Sequence, residues 1–336
     1  MARDLAIDLG TANTLVYVRG RGVQLDQPTV IAINQRSGDI LAMGDEAYSM
    51  IGRTPGHILA VRPMRGGAIS DFDTTARLLR MLLERVGGGR VGRPRVLICV
   101  PSAITEVERR AVQEAAVQAG ARAAWLVEEP MAAAIGAGLP VHEPTGHLVA
   151  DVGGGTTEVA CISLGGIVAA KAIRVAGFDM DAAIAAHVRR EHAVVIGERT
   201  AEQVKLSIGS AWPQAGERGT ELTGRELATG LPRTVPIAAA EVREALREPV
   251  GQIVQAVLTT LADVPPELAG DVLDKGIFLT GGASQLRGLQ ARIAHEAQVA
   301  VHQAEAPLTC VVLGAGEILE DLDSLAPLFA GQPARR

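Results

Sequence analysis

Residues 151–157 read Asp-Val-Gly-Gly-Gly-Thr-Thr, and 143 positions earlier residues 8–14 read Asp-Leu-Gly-Thr-Ala-Asn-Thr, each at the end of a short apolar run that reads as a strand (His147–Ala150 and Leu5–Leu9). A single acidic strand end followed by glycine and hydroxyl residues is most often just a tight hairpin. Two copies at mirrored positions ask for more. Glycine lets a backbone approach a ligand closely and turn its N–H groups inward, so Thr11, Ala12 and Asn13 on one side and Gly153, Gly154 and Gly155 on the other are candidates to hold phosphate oxygens. Asp8 and Asp151 would then face a hydrated Mg²⁺ between the loops, an ion that keeps several waters and commonly takes one or two carboxylates plus phosphates. Neither loop is a Walker A sequence, because no Gly-Lys-Ser/Thr follows the glycines. The echo implies two similar halves facing one cleft.

Working outward, short apolar runs bounded by glycine alternate with helical patterns, the mark of an α/β architecture. Further strands are expected at Leu15–Val18, Thr29–Ile33, Val96–Val100, Glu158–Ser163, Val168–Ile173 and Gly276–Leu279. Between Thr74 and Val86 the leucines recur at helical spacing and predict a core-packed amphipathic helix. Thr105-x-x-Glu108 is a capping box, and Gly120 stands where its helix should end. Glu241–Leu261 carries one apolar stripe interrupted by Pro249 and Gly251, which predicts a kink. Pro- and Gly-containing stretches at Leu139–Gly146, Gly209–Gly219 and Val264–Gly270 are joints or surface loops, none long enough for a free linker.

The 336 residues suffice for about two domains. A hydrophobic share of 48% excludes a mainly disordered chain, and aromatics at 2% leave no base-stacking platform. With 32 basic against 38 acidic residues the net charge is −6, so nucleic acid is not an expected partner. Cys99, Cys161 and Cys310 are scattered and suit a reducing compartment, with Cys161 as a buried small apolar residue. No His-x-x-x-His spacing supports zinc catalysis. Asp4 and Asp8 leave no room for a secretory apolar core, and no run of about 18 apolar residues follows. The expectation is a soluble, cytoplasmic protein able to lie on a membrane surface.

Three more elements carry chemistry. In Glu128-Glu129-Pro130 two carboxylates precede a proline suited to open a helix. Glu128 reads as a complement to the helix dipole, whereas Glu129 can face the cleft and orient a water for in-line attack on a γ-phosphate. In Gly197–Lys205, Glu202 and Lys205 are i, i+3 neighbours on a helix, offering an acceptor and a donor to a ribose and base or merely forming an ion pair. Gly281-Gly282-Ala283-Ser284 after an apolar strand suits flat contact with an adenine ring or close packing without a ligand.

The order of these elements resembles the actin-like ATPases, most closely the bacterial MreB family of rod-shape-determining actin homologues. The resemblance covers nearly the whole chain: IDLGTANTLVYVRGRG (7–22), IGRTPG (51–56), VRPMRGG (61–67), VPSAITEVERRAV (100–112), EEPMAAAIGAGLPV (128–141), DVGGGTTEVACISLGGIV (151–168), IGERTAEQVK (196–205), TGLPR (229–233), EVREALR (241–247) and GIFLTGGASQLRGL (276–289). It implies duplicated ribonuclease-H-like domains around a central nucleotide cleft, residues 1–143 plus 312–336 and residues 144–311, with smaller subdomains inserted at about 33–65 and 180–244. It also implies Mg²⁺ and ATP as cofactors and a weak ATPase coupled to polymerisation. By the match, Asp8 and Asp151 serve metal and phosphates, Glu129 and Thr156 position the attacking water, Glu202, Gln203 and Lys205 fall at the nucleoside, and Gly281–Ser284 at the adenine. Implied partners are further copies of the chain, an anionic membrane surface and cell-wall morphogenesis proteins in the membrane.

Two positions depart from the family pattern. Ala283 replaces a usual glycine and would be strained if its φ were positive; Phe178 replaces a usually acidic residue near a hinge. The family's apolar membrane loop is here 87–94, with Val91 its one apolar side chain. Arg85, Arg90, Arg93 and Arg95 either attract anionic lipid, at about 1 kcal/mol each, or form a solvated basic loop. Pro327, Phe329 and Arg335-Arg336 read as a frayed tail. Competing uses of such a cleft are a small-molecule kinase, for which no substrate segment is visible, a heat-shock-type chaperone, which would need a longer chain, and a nucleotide-binding paralogue that polymerises poorly.

Overall fold

A computed structural model describes residues 4–66, 68–69, 72–86, 93–322 and 334–335. Arg90, Val91, Pro327, Phe329 and Arg336, invoked above, lie outside them.

The sequence echo becomes a structural duplication. Leu5–Leu9, Asn13–Val18 and Gly22–Pro28 form an antiparallel meander, and Leu5–Leu9 continues through parallel Arg95–Val100 and Ala123–Glu128. His147–Val152, Thr157–Ser163 and Gly166–Ile173 repeat the meander, with Ile277–Thr280 and Val301–Gln303 as the parallel strands. Asp8 and Asp151 occupy corresponding register positions, opposite Leu15 and Glu158 on the antiparallel side. A small three-stranded sheet (Ile31–Asn34, Ile40–Met43, Ile58–Val61) with the helix Asp45–Met50 rises beside the first sheet. Its counterpart beside the second sheet is Val194–Val195, Gly219–Glu226 and Pro232–Ala238, with the helices Gly177–His192 and Glu198–Ile208. Among the described residues no helix is long and apolar enough to cross a membrane.

Between the sheets lie two helices, Glu129–Gly136 and Cys310–Glu320. Their buried Ala132, Ala133, Ala134, Ala315 and Ile318 meet Ala6 and Leu97 from the first sheet and Val149, Ala160 and Ile162 from the second in one apolar cluster. The lobes therefore share a core beneath the cleft. Glycine makes the crossing possible: a Cβ on Gly136 would overlap the Cys310 carbonyl, and one on Gly314 the Ala132 carbonyl.

Several local expectations need correction. The stripe Glu241–Leu261 is two helices, Ala239–Ala245 and Arg247–Asp263, hinged at buried Leu246. Pro249 falls in the first turn of the second, where its missing N–H costs nothing, so it makes no kink. The strand Ala123–Glu128 escaped notice because its alanines carry no β signal. Arg335, expected to fray, instead joins Ala334 in a short antiparallel edge strand beside it. The Thr105–Glu108 capping box and the Gly120 terminus form as expected, with φ 122° at Gly120.

Gly314→Ala should lower stability by about 3 kcal/mol, because the new methyl meets backbone that cannot yield. A urea midpoint equal to that of the parent chain would contradict the shared-core packing.

Candidate functional site

The two acidic hairpins meet tip to tip. A Cβ on Gly154 would overlap the Ala12 side chain, and one on Gly155 would come within 2.7 Å of Thr11. Each loop is tied back on its outer side. The Gly10 carbonyl accepts from Thr29 Oγ1 (2.7 Å) and the Ala12 carbonyl from Thr29 N–H (2.8 Å). The Gly153 and Gly154 carbonyls accept from the N–H groups of Gly177 (3.2 Å) and Phe178 (2.8 Å), at the start of the following helix. In a trans peptide the N–H points opposite to its carbonyl, so the amides of Asn13, Gly154 and Gly155 face the other way, as an anion-binding turn requires.

Above the loops opens a cleft of about 330 Å³. Asp8, Thr11, Ala12, Asn13, Glu129, Asp151, Gly153, Gly154, Gly155 and Thr156 line its floor, and Glu202, Lys205, Gly281, Gly282 and Ala283 its side. Two candidates lie elsewhere. Gln203 is exposed away from the cleft, and Ser284 is buried, its hydroxyl donating to the Gly281 carbonyl (2.6 Å) and accepting from Gln303 (2.7 Å). Ala283 does not have the positive φ that would strain it; Gly281 does, at 84°, where a Cβ would strike the Val152 carbonyl.

The floor is a buried acidic cluster. Burial, then the charges of Asp151 and Asp26, push Asp8 up to about 7. Burial pushes Asp151 up to about 6, although Thr280 Oγ1 donates to it at 2.8 Å. Burial and the neighbouring Glu158, Asp8 and Asp151 carboxylates hold Glu129 well above its usual range. Glu158, the one carboxylate of the buried strand Thr157–Ser163, was not singled out in the sequence. It accepts the Ser102 N–H across the lobes at 3.0 Å. Such crowding fits a divalent cation, which would relieve the repulsion between Asp8 and Asp151. Among the described residues no group of three His, Cys, Asp or Glu side chains is placed to hold a metal ion.

Glu202 and Lys205 do not pair with each other. Lys205 Nζ meets the Asp181 carboxylate at 2.9 Å and the Gly177 carbonyl at 3.0 Å, while Glu202 accepts from the Tyr48 hydroxyl of the opposite lobe. Two of the four arginines considered for lipid are committed as well: Arg95 to Asp4 at 2.6 Å, and Arg85 to Gln27 at 3.2 Å.

Duplicated sheets on a shared helical core, with paired acidic loops across a cleft, are the architecture of the actin-like proteins. The chain belongs to the MreB/Mbl family: the model of the MreB/Mbl protein matches residues 2–327. It is 50% identical over 328 residues to the cell shape-determining protein MreB of Escherichia coli (strain K12), covering 96% of this chain and 94% of that one. To the cell shape-determining protein Mbl of Bacillus subtilis (strain 168) it is 45% identical over 325 residues, covering 96% and 98%. The crystal structure of MreB5 of Spiroplasma citri bound to ADP is similar at a TM-score of 0.93 and 36% identity, covering 97% of this chain and 99% of that one. The MamK double helical filament, at 20% identity and a TM-score of 0.80 over 95% and 98%, shares the fold.

Lys205→Met should destabilise the chain by about 3 kcal/mol at neutral pH, because it strands the buried Asp181 carboxylate. Burial already lifts Asp181 from 3.8 to about 6 against the pull of Lys205. A raised carboxyl contributes stability below its unfolded value and loses it as pH rises through the folded one. The deficit of the variant should therefore grow between pH 5 and pH 8 in thermal melts; a deficit independent of pH would contradict the assignment.

Proposed function

We propose that the chain binds ATP with Mg²⁺ in this cleft, hydrolyses it slowly, and polymerises head to tail into filaments that organise cell shape and wall synthesis at the inner membrane face. The observation that carries the reading is the contact of the two hairpin tips beneath a cleft to which each lobe brings an aspartate from a strand end. The ADP-bound MreB5 structure and the cell shape-determining names of the relatives support it.

Asp8 and Asp151 would hold the ion, with the amides of Asn13, Gly154 and Gly155 on the phosphate oxygens. Bound Mg²⁺ would neutralise charge on the β- and γ-phosphates. Glu129, at the first turn of its helix, and the Thr156 hydroxyl would orient the attacking water. A carboxyl raised by burial is a better proton acceptor near neutral pH than an ordinary one. Glu202 offers an acceptor to the ribose, and Gly281 to Ala283 a flat wall to the base. A subunit that flattens as its lobes close presents a new face to its neighbour, and such a heterologous contact, when it does not close a ring, builds an open filament.

Sedimentation with Mg-ATP, with Mg-ADP and without nucleotide tests the reading. Magnesium- and ATP-dependent pelleting is expected; a persistent monomer that phosphorylates a metabolite would support a kinase instead. Glu129→Ala should slow phosphate release about a hundredfold while ATP affinity holds, and Asp151→Ala should weaken Mg-ATP binding itself. Unchanged turnover in Glu129→Ala would remove its role.

A further inference from the structure

The top of the cleft is bridged by a stack that alternates rings and guanidinium groups. Arg62 lies with its Cζ 4.4 Å from the Phe178 ring centroid and 5.9 Å from that of Tyr48, and Arg199 lies 5.1 Å from Tyr48 on the other side. Tyr48 and Arg62 come from the first lobe, Phe178 and Arg199 from the second. Arg62 also pairs with Glu198 at 2.7 Å and reaches the Ala12 carbonyl of the first hairpin at 3.5 Å. The whole chain has eight Trp, Tyr and Phe residues, so placing two of them on this seam is a concentrated use of scarce rings.

Phe178 lines the cleft directly, and Tyr48 reaches it through Glu202. Tyr48 donates its hydroxyl to Glu202 Oε2, and Glu202 lines the nucleoside side of the cavity. Lys205, the other polar side chain of that helix at the wall, is taken up by Asp181 and the Gly177 carbonyl. Glu202 is the carboxylate of that helix at the wall, and Tyr48 engages its Oε2. An ionised carboxylate has about four lone-pair sites, so one bond from Tyr48 leaves room for a ribose hydroxyl. Burial, followed by the bond to Glu202, pushes the Tyr48 phenol up to about 12, so it stays a donor at physiological pH.

We propose that Tyr48 is a positioning residue for nucleoside binding: from the opposite lobe its hydroxyl fixes the Glu202 carboxylate and presents the second oxygen to the ribose. Tyr48 and Glu202 sit on different lobes, 154 residues apart, so the grip exists only with the lobes together. Closing the cleft and seating the ribose become one event. The Arg62 and Phe178 contacts hold the seam at the register that lets Tyr48 reach. This inference rests on the reading of the cleft as a Mg-nucleotide site.

The test compares ADP with 2′,3′-dideoxy-ADP, each titrated with Mg²⁺ into the full chain by calorimetry. Tyr48→Phe keeps the ring between Arg62 and Arg199 and removes only the hydroxyl. It should weaken ADP about tenfold, the scale of one hydrogen bond to a charged group, and leave the dideoxy nucleotide unaffected. In a Glu202→Gln background the same change should add little, because the two residues act through one bond. Equal losses for both nucleotides would make Tyr48 a mere latch, and no loss for either would leave it idle; each result overturns the proposal. If the parent chain binds neither nucleotide, the reading of the cleft fails and the proposal falls with it. ADP binding by the parent together with an indifferent Tyr48→Phe defeats the proposal alone.

Discussion

Carboxylates brought together out of water repel one another, and the architecture of this chain is organised around one such group. Asp8, Glu129, Asp151 and Glu158 converge where two sheets end and a helix begins. Burial disfavours each charge, and proximity disfavours them jointly. Such a cluster persists only because the surrounding fold over-determines it. Thr280 and Ser102 donate to two of its members, and the apolar helix pair below fixes the rest. A divalent cation, as proposed with the nucleotide, would offset that repulsion.

Lobe movement follows from the same layout. The glycine crossing at Gly136 and Gly314 brings two helix backbones together under the cleft, and such a contact has little freedom to slide. The top is different in kind. There the lobes meet through a phenol, two guanidinium groups and exposed or half-exposed carboxylates, contacts that can break and reform one at a time. A rigid floor and a dissociable roof favour rotation about the floor, and the hairpin tips lie between them.

How much of this was legible in the sequence depends on the range of the interaction. The paired Asp-x-Gly turns, the Thr105 capping box and the Gly120 terminus are written in residues a few positions apart, so local chemistry announces them. The strand Ala123–Glu128 was hidden because its two alanines carry no β signal, and burial rather than propensity makes it extended. The break at Leu246 was read at Pro249 because proline is the visible breaker, yet the first turn of a helix tolerates it. The Lys205–Asp181 pair and the Tyr48–Glu202 bond lie outside any local pattern. Reading Glu202 with Lys205 by helical spacing favoured a neighbour in sequence over partners that only the closed fold supplies. Glu158 carried a signal that went unused: one acid beside the apolar run Val159–Ile162 in a wholly buried strand.

The central claim is that the two hairpins seize a magnesium-bound triphosphate from opposite walls. The most direct measurement is a calorimetric titration of the unmodified chain with ATP in the presence of Mg²⁺ and again with the metal removed by a chelator. The account predicts saturable one-to-one binding with the ion and a loss of at least tenfold in affinity without it. Affinity that is the same in both conditions, or no uptake in either, would contradict it.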